Sequence, residues 1–217
     1  MYTVNNVLTD IAGYINQDTT IPTGTELDTW INLINQAQTE WGEAYQWKDL
    51  RVNRYSPSFG LSAVSIGLPV NFKKLMSPVY DMSKSSSNKY KEIPPSDRHL
   101  KTSSDKYCYL TGNNISGKAL TIHPALISGA SIVLDYQSNP SSVASLNDIL
   151  TCPSRQFIVK RVESYILASR SDSRFPLVAK EAENSMENMM EEEAVKSGGM
   201  DNRTPNYFKQ ISFRIGQ

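Results

Sequence analysis

Apolar residues recur at helical spacing near both ends of this chain and at strand spacing between them, so any fold must combine two helical segments with an intervening β region. In the first segment Val4, Val7, Leu8, Ile11, Tyr14 and Ile15 form one 3.6-residue stripe. Residues 18–24, with Pro22, break it, and Thr25 is expected to cap a second helix. Leu27, Ile31, Ile34, Gln38, Trp41 and Tyr45 share a face of that helix, with Trp30 and Ala37 flanking it. Near the other end Pro153 suits a first helical turn, and Ile158, Val162, Tyr165, Ile166 and Ser169 make the face that follows. After a break at Asp172 and Ser173, Val178, Ala182, Met186, Met189 and Glu193 form a last stripe, backed by Ser185 and Met190. Ser197-Gly198-Gly199 ends it.

Between these segments Gly and Pro punctuate runs of period-two alternation. The clearest expectation is a three-stranded meander from 107–110 through 120–123 to 132–136, and the serine-rich stretch 83–88 reads as an exposed loop. Neither helical pair alone covers both of its apolar faces. The expected fold is therefore α+β: an antiparallel helical bundle from both chain ends (1–49 and 152–199) carrying a small inserted antiparallel β domain (50–151) and an extended C-terminal arm (200–217).

Charge is balanced, with 22 basic and 22 acidic residues, whereas proteins that grip nucleic acid by counterion release carry a basic excess. Cys108 and Cys152 match neither a disulfide framework nor a metal knuckle, so a reducing compartment is expected. No apolar run approaches the roughly 18 residues of a membrane span, and no basic stretch followed by an apolar core marks a signal peptide. The expectation is a soluble protein made in the cytoplasm.

The nearest approach to a catalytic motif is Gly112-Asn113-Asn114-Ile115-Ser116-Gly117-Lys118-Ala119, which has P-loop spacing up to its lysine. Ala119 stands where a Ser or Thr hydroxyl would hold magnesium, and the residues up to Pro124 alternate as a strand, leaving no helix N-terminus for phosphates. A hairpin loop is the expected structure. His99 and His123 lack partners at metal-ligand spacing, and no Gly-x-Ser-x-Gly elbow occurs. Glu191, Glu192 and Glu193 are consecutive on a helix, so they point in different directions and cannot converge on one ion. No catalytic residue, cofactor or metal is assigned.

Charge placement is more telling. Arg155, Lys160, Arg161, Arg170 and Arg174 crowd the third helical stretch, while Glu181, Glu183, Glu187, Glu191, Glu192 and Glu193 crowd the fourth. Packing within one molecule explains such polarity, and so do neighbouring copies meeting through opposite charges. Arg155, Lys160, Arg161, Glu183, Glu187 and Glu191 are thus candidates for a subunit interface or channel lining. Met186 and Met189 read as core. The arm carries Tyr207, Phe208, Ile211, Phe213 and Ile215 with Arg203, Lys209 and Arg214 and a single acid, Asp201, as a segment that docks on a partner or on its own subunit would; it is the candidate partner-docking arm.

The order of elements resembles the head–tail connector or adaptor family of tailed bacteriophages, including its tail tubular protein A type. The helix over 30–47 ends in a Trp/Tyr-rich turn and runs into Leu50-Arg51-Val52. Leu68-Pro69-Val70-Asn71-Phe72 is similar to that family's Leu-Pro-x-Asp-Phe stretch, with Asn71 in place of the acid. Tyr109-Leu110, Leu120 to Pro124 and Ile132 to Tyr136 resemble its terminal meander, followed by Asn139-Pro140 and the helix near Pro153. The likeness covers about 25–195. It implies a non-enzymatic virion protein, assembled in the host cytoplasm, that forms a homo-oligomeric ring of about twelve copies. Such a ring docks beneath the portal protein, extends the channel for genomic double-stranded DNA and offers a platform to tail or nozzle proteins. It uses no cofactor, membrane or small-molecule substrate. The competing expectations are a minor tail or baseplate subunit and a small hydrolase using His99 or His123.

Overall fold

The computed structural model describes residues 1–58, 64–83, 89–113, 117–126 and 130–196. The chain divides into two compact units, one made of Met1–Asp49 with the chain from Pro140 onward, the other of Leu50–Asn139. Stretch 140–151, which sequence patterning places with the strands, clusters with the helices.

The helical unit contains α1 (Val4–Asn16), α2 (Thr25–Ala44), α3 (Arg155–Ser169) and α4 (Phe175–Lys196). Thr3 caps α1: its hydroxyl accepts from the Asn6 amide, and Asn6 Oδ1 accepts from the Thr3 amide at 3.0 Å. Two further amides that a first turn leaves open, Val4 and Asn5, donate to the carbonyls of Asp148 and Leu146 at 3.0 and 2.9 Å. Tyr14, expected on the buried stripe, is instead exposed, and the Lys160 ammonium lies 4.4 Å from its ring centre. Gly24, not Thr25, is the N-cap of α2. At the start of α3 Ser154 is the cap, its hydroxyl accepting from the Phe157 amide at 3.1 Å, so Pro153 lies outside the helix.

Gln38 interrupts the apolar face of α2 for a reason. Buried to 1 % exposure, it accepts from the Thr151 amide at 2.8 Å through Oε1 and donates to the Ser141 carbonyl at 3.4 Å through Nε2. One turn earlier, Asn35 both donates to and accepts from the backbone of Val143, at 2.9 and 2.8 Å. Two side-chain amides thus do for 140–151 what a neighbouring strand would otherwise do.

In the β unit seven strands follow the order β1 (Arg51–Tyr55), β8 (Ile132–Ser138), β4 (Val79–Asp81), β5 (Lys89–Glu92), β6 (Tyr107–Asn113), β7 (Gly117–His123) and β2 (Ser65–Gly67), and β3 (Phe72–Leu75) also pairs with β8. The sheet curls around a core that includes Phe72, Val79, Cys108, Leu120, Ile122, Ile132 and Leu134. Every pairing is antiparallel except β5 with β6, which run parallel through Lys91↔Tyr107 and Glu92↔Cys108.

These findings overturn the expected fold. The protein is a mixed α/β structure and not an antiparallel helical bundle with a small antiparallel insertion. The stretch 93–106, polar and carrying a short 3-10 helix at Pro95–Leu100, is too long for a tight hairpin and returns the chain in its original direction. The meander is also incomplete. β6 and β7 form its hairpin, but β7 next pairs with the three-residue β2 through Ile66↔Leu120, while β8 lies beside β1, β3 and β4. In the helical unit α3 packs against α1, α2 and α4 and serves as their common centre.

Replacing Gln38 by Leu keeps its volume but leaves the Thr151 amide without its side-chain acceptor. Urea denaturation is expected to show a loss of about 1–3 kcal/mol. An unchanged midpoint would mean that α2 does not hold 140–151 in place.

Candidate functional site

Among the charges of helix α3 Arg155 is exposed, Lys160 and Arg161 are half-buried and Glu163 is buried, and the structure gives each a partner. Arg155 reaches α1 in a two-pronged pair with Asp10, Nε to Oδ2 at 2.7 Å and Nη2 to Oδ1 at 2.6 Å. Lys160 joins Glu163 at 3.2 Å and Glu181 of α4 at 3.1 Å. Burial alone would lower the Lys160 pKa, but the two carboxylates outweigh it and the net shift is upward. Arg161 donates to Glu40 of α2 at 2.7 Å, and the Tyr165 hydroxyl donates to the other oxygen of the same carboxylate. Burial, reinforced by Glu40, raises the Tyr165 pKa well above its ordinary value. Tyr165 is therefore held as a neutral donor. The Glu40–Arg161–Tyr165 cluster closes on itself, which suits bracing of α2 against α3.

Beside this cluster lies a groove of about 620 Å³ between α3, α4 and their connecting turn. Ala168, Phe175, Pro176 and Ala179 give it apolar walls, and Arg161, Tyr165, Asp172 and Glu183 supply polar edges. Asp172 fixes the turn by accepting from the Arg174 amide at 2.8 Å and pairing with its guanidinium at 2.9 Å. These Arg174 hydrogen bonds lower the Asp172 pKa to about 2.

The candidate interface residues therefore fall into two groups. Arg155, Lys160 and Arg161 are engaged within the helical unit. Glu183, Glu187 and Glu191 recur every four residues along α4, the first half-buried and the others exposed. Among the described residues none of these three has a hydrogen-bond or ion-pair partner. Met186 is buried as expected, and Met189 is half-buried. Glu193 turns inward, its Oε1 accepting from the Lys48 amide at 2.7 Å, while Glu191 and Glu192 are exposed, so the three successive carboxylates diverge. The candidate arm residues Tyr207, Phe208, Ile211, Phe213 and Ile215 lie outside the described residues.

No protein-family model matches this chain, and no curated protein matches it either. The site must be read from its own chemistry.

The P-loop-like stretch joins β6 to β7, and Gly112↔Lys118 and Asn113↔Gly117 are paired rungs of that hairpin. Its residues 114–116 are outside the described residues, as are 84–88 of the expected serine-rich loop. Lys118 donates through Nζ to the Phe72 carbonyl at 3.0 Å, so its ammonium is committed to the sheet. Gly112 has φ +83, and a Cβ there would meet the Gly117 carbonyl oxygen at 2.1 Å, which ties the glycine to the turn itself. His123 stacks on Tyr107 with ring centres 4.9 Å apart, and His99 is exposed. Burial raises both thiol pKa values, those of Cys108 and Cys152, to about 12. Among the described residues no group of three His, Cys, Asp or Glu side chains is placed to hold a metal ion, and no helix is long and apolar enough to cross a membrane.

Sequence reasoning missed Glu40 and Tyr165 as partners of Arg161. Tyr165 falls on the apolar stripe although its i,i+4 spacing also sets it beside Arg161, and Glu40 lies 121 positions from Arg161, beyond any spacing rule. A raised Tyr165 pKa contributes stability that is complete below the unfolded value near pH ~10 and is lost as pH rises toward the folded one. Wild-type protein is expected to destabilise steeply above that pH in chemical denaturation, and Tyr165→Phe to have a shallower alkaline slope. Equal slopes would remove Tyr165 as a source of the loss.

Proposed function

We propose that this chain is a structural subunit that assembles into a ring at the head–tail junction of a tailed bacteriophage, beneath the portal, where it extends the DNA channel and offers a platform to tail proteins. The observation that carries the reading is the row Glu183, Glu187 and Glu191, acidic, at one-turn spacing and without partners among the described residues. The cations of α3 are already paired. Charge left over along two turns of α4 favours a role outside the molecule, either against a neighbouring copy or against DNA passing through a lumen. A like-charged wall suits a duplex that must slide, since each cationic phosphate contact adds to binding. The helix over 30–47 and the Leu68-Pro69-Val70-Asn71-Phe72 stretch, which resemble the connector family, support the same reading, whereas the meander does not, since β8 leaves the β6–β7 hairpin. The Glu40–Arg161–Tyr165 cluster favours structure over chemistry, because Glu40 receives one hydrogen bond on each carboxylate oxygen, from Arg161 Nε and the Tyr165 hydroxyl, and so ties α2 to α3.

Glu187→Lys combined with Glu191→Lys tests the interface directly, because both side chains are exposed and the fold is expected to survive. Light scattering is expected to show weakened ring formation, most strongly at low salt where screening is least. Rings of unchanged mass and stability from a folded double variant would remove α4 as the contact surface.

A further inference from the structure

We infer that the groove between α3 and α4 receives the C-terminal segment 203–215 of a neighbouring copy, whose cations run along the row Glu183, Glu187 and Glu191. The inference rests on the ring reading and names the contact that joins its copies. Groove and row are continuous, because Glu183 belongs to both. Together they form an apolar trough opening onto an acidic track that leads toward the end of α4. The segment has the complementary chemistry. Ile211, Phe213 and Ile215 alternate, so in an extended conformation they share one face, while Arg203, Lys209 and Arg214 supply positive charge. Along α4 the acids outnumber Lys180 and Lys196, and along the segment beyond Asp201 no acid opposes the cations. A strand-like segment laid in a helix–helix groove can therefore place apolar side chains against Ala168, Phe175, Pro176 and Ala179 and its cations against carboxylates.

Reach permits the contact. A helix rises about 1.5 Å per residue, so α4 carries the chain roughly 26 Å from Ala179 to its end at Lys196. The linker 197–210 spans about 20 Å as a flexible coil and up to about 45 Å when extended. A unit of this size is roughly 35 Å across, which an extended linker covers. Docking on the same copy would satisfy the acidic row internally and leave it nothing to contribute to assembly. Docking on the next copy makes the same contacts join subunits head to tail, the heterologous geometry that closes into rings.

A complementation experiment with full-length chains tests this. One variant, Ile211→Asp with Phe213→Asp, loses the segment's apolar face and keeps the groove. The other, Glu183→Lys with Glu187→Lys, blocks the acidic track and keeps the segment; Ala179→Arg serves as an independent block of the groove. Circular dichroism confirms that each is folded. In analytical ultracentrifugation each variant is expected to be monomeric alone, and an equimolar mixture to form heterodimers, because one intact segment meets one intact groove. If the mixture stays monomeric while wild-type protein assembles, the docking is overturned and the ring reading stands. If either variant alone assembles like wild type, the docking is likewise overturned. If the mixture forms heterodimers while wild-type protein forms no ring, the docking stands and the ring reading falls.

Discussion

Helix α3 buries side chains around much of its circumference, and this demand organises the helical unit. Phe157, Ile158, Val159, Val162, Ile166 and Leu167 are all buried, as are Glu163 and Ser164 among them. A helix apolar on several sides has to be enclosed, and α1, α2 and α4 together enclose it. The polar residues of α3 then have narrow strips to occupy. Each strip borders a different neighbour, which is why Arg155 meets α1, Arg161 meets α2 and Lys160 meets α4. The Arg155–Asp10 pair, the most exposed of these, contributes about 0–1 kcal/mol, so it orients α1 more than it holds it.

That division of charge has a consequence for function. With three cations of α3 engaged by Asp10, Glu40 and the Glu163–Glu181 pair, α4 keeps a row of carboxylates that no residue among the described ones pairs with. A protein neutral overall therefore presents a locally acidic ridge beside an apolar groove. The sequence also carries a segment of opposite character, basic and aromatic, beyond the last described residue. Ridge, groove and segment together make the proposed head-to-tail contact a matter of matched chemistry.

How much of this was legible beforehand follows from range. Local periodicity was enough to find four helices and the β6–β7 hairpin, because those patterns are complete within a few residues. It also anticipated that the successive carboxylates at 191–193 diverge. Periodicity did not reveal that β8 leaves the hairpin for β1, β3 and β4, since strand neighbours are chosen by long-range packing and β2 is too short to announce itself. It misplaced Tyr14, which takes its value from a cation on another helix. Gln38 looked like a tolerated flaw in a stripe, because the backbone it satisfies lies over a hundred residues away. The charge polarity of the last two helices was visible as composition. Its division into engaged and unengaged groups depended on Asp10 and Glu40, which no inspection of α3 and α4 alone would supply.

The central claim is that this chain works as an assembled ring. The measurement that bears on it most directly is the native mass of the full-length protein at physiological salt, alone and mixed with a portal assembly. The account predicts one closed species of a single copy number, formed alone or on the portal. A chain that remains monomeric in both conditions at every concentration tested would contradict it.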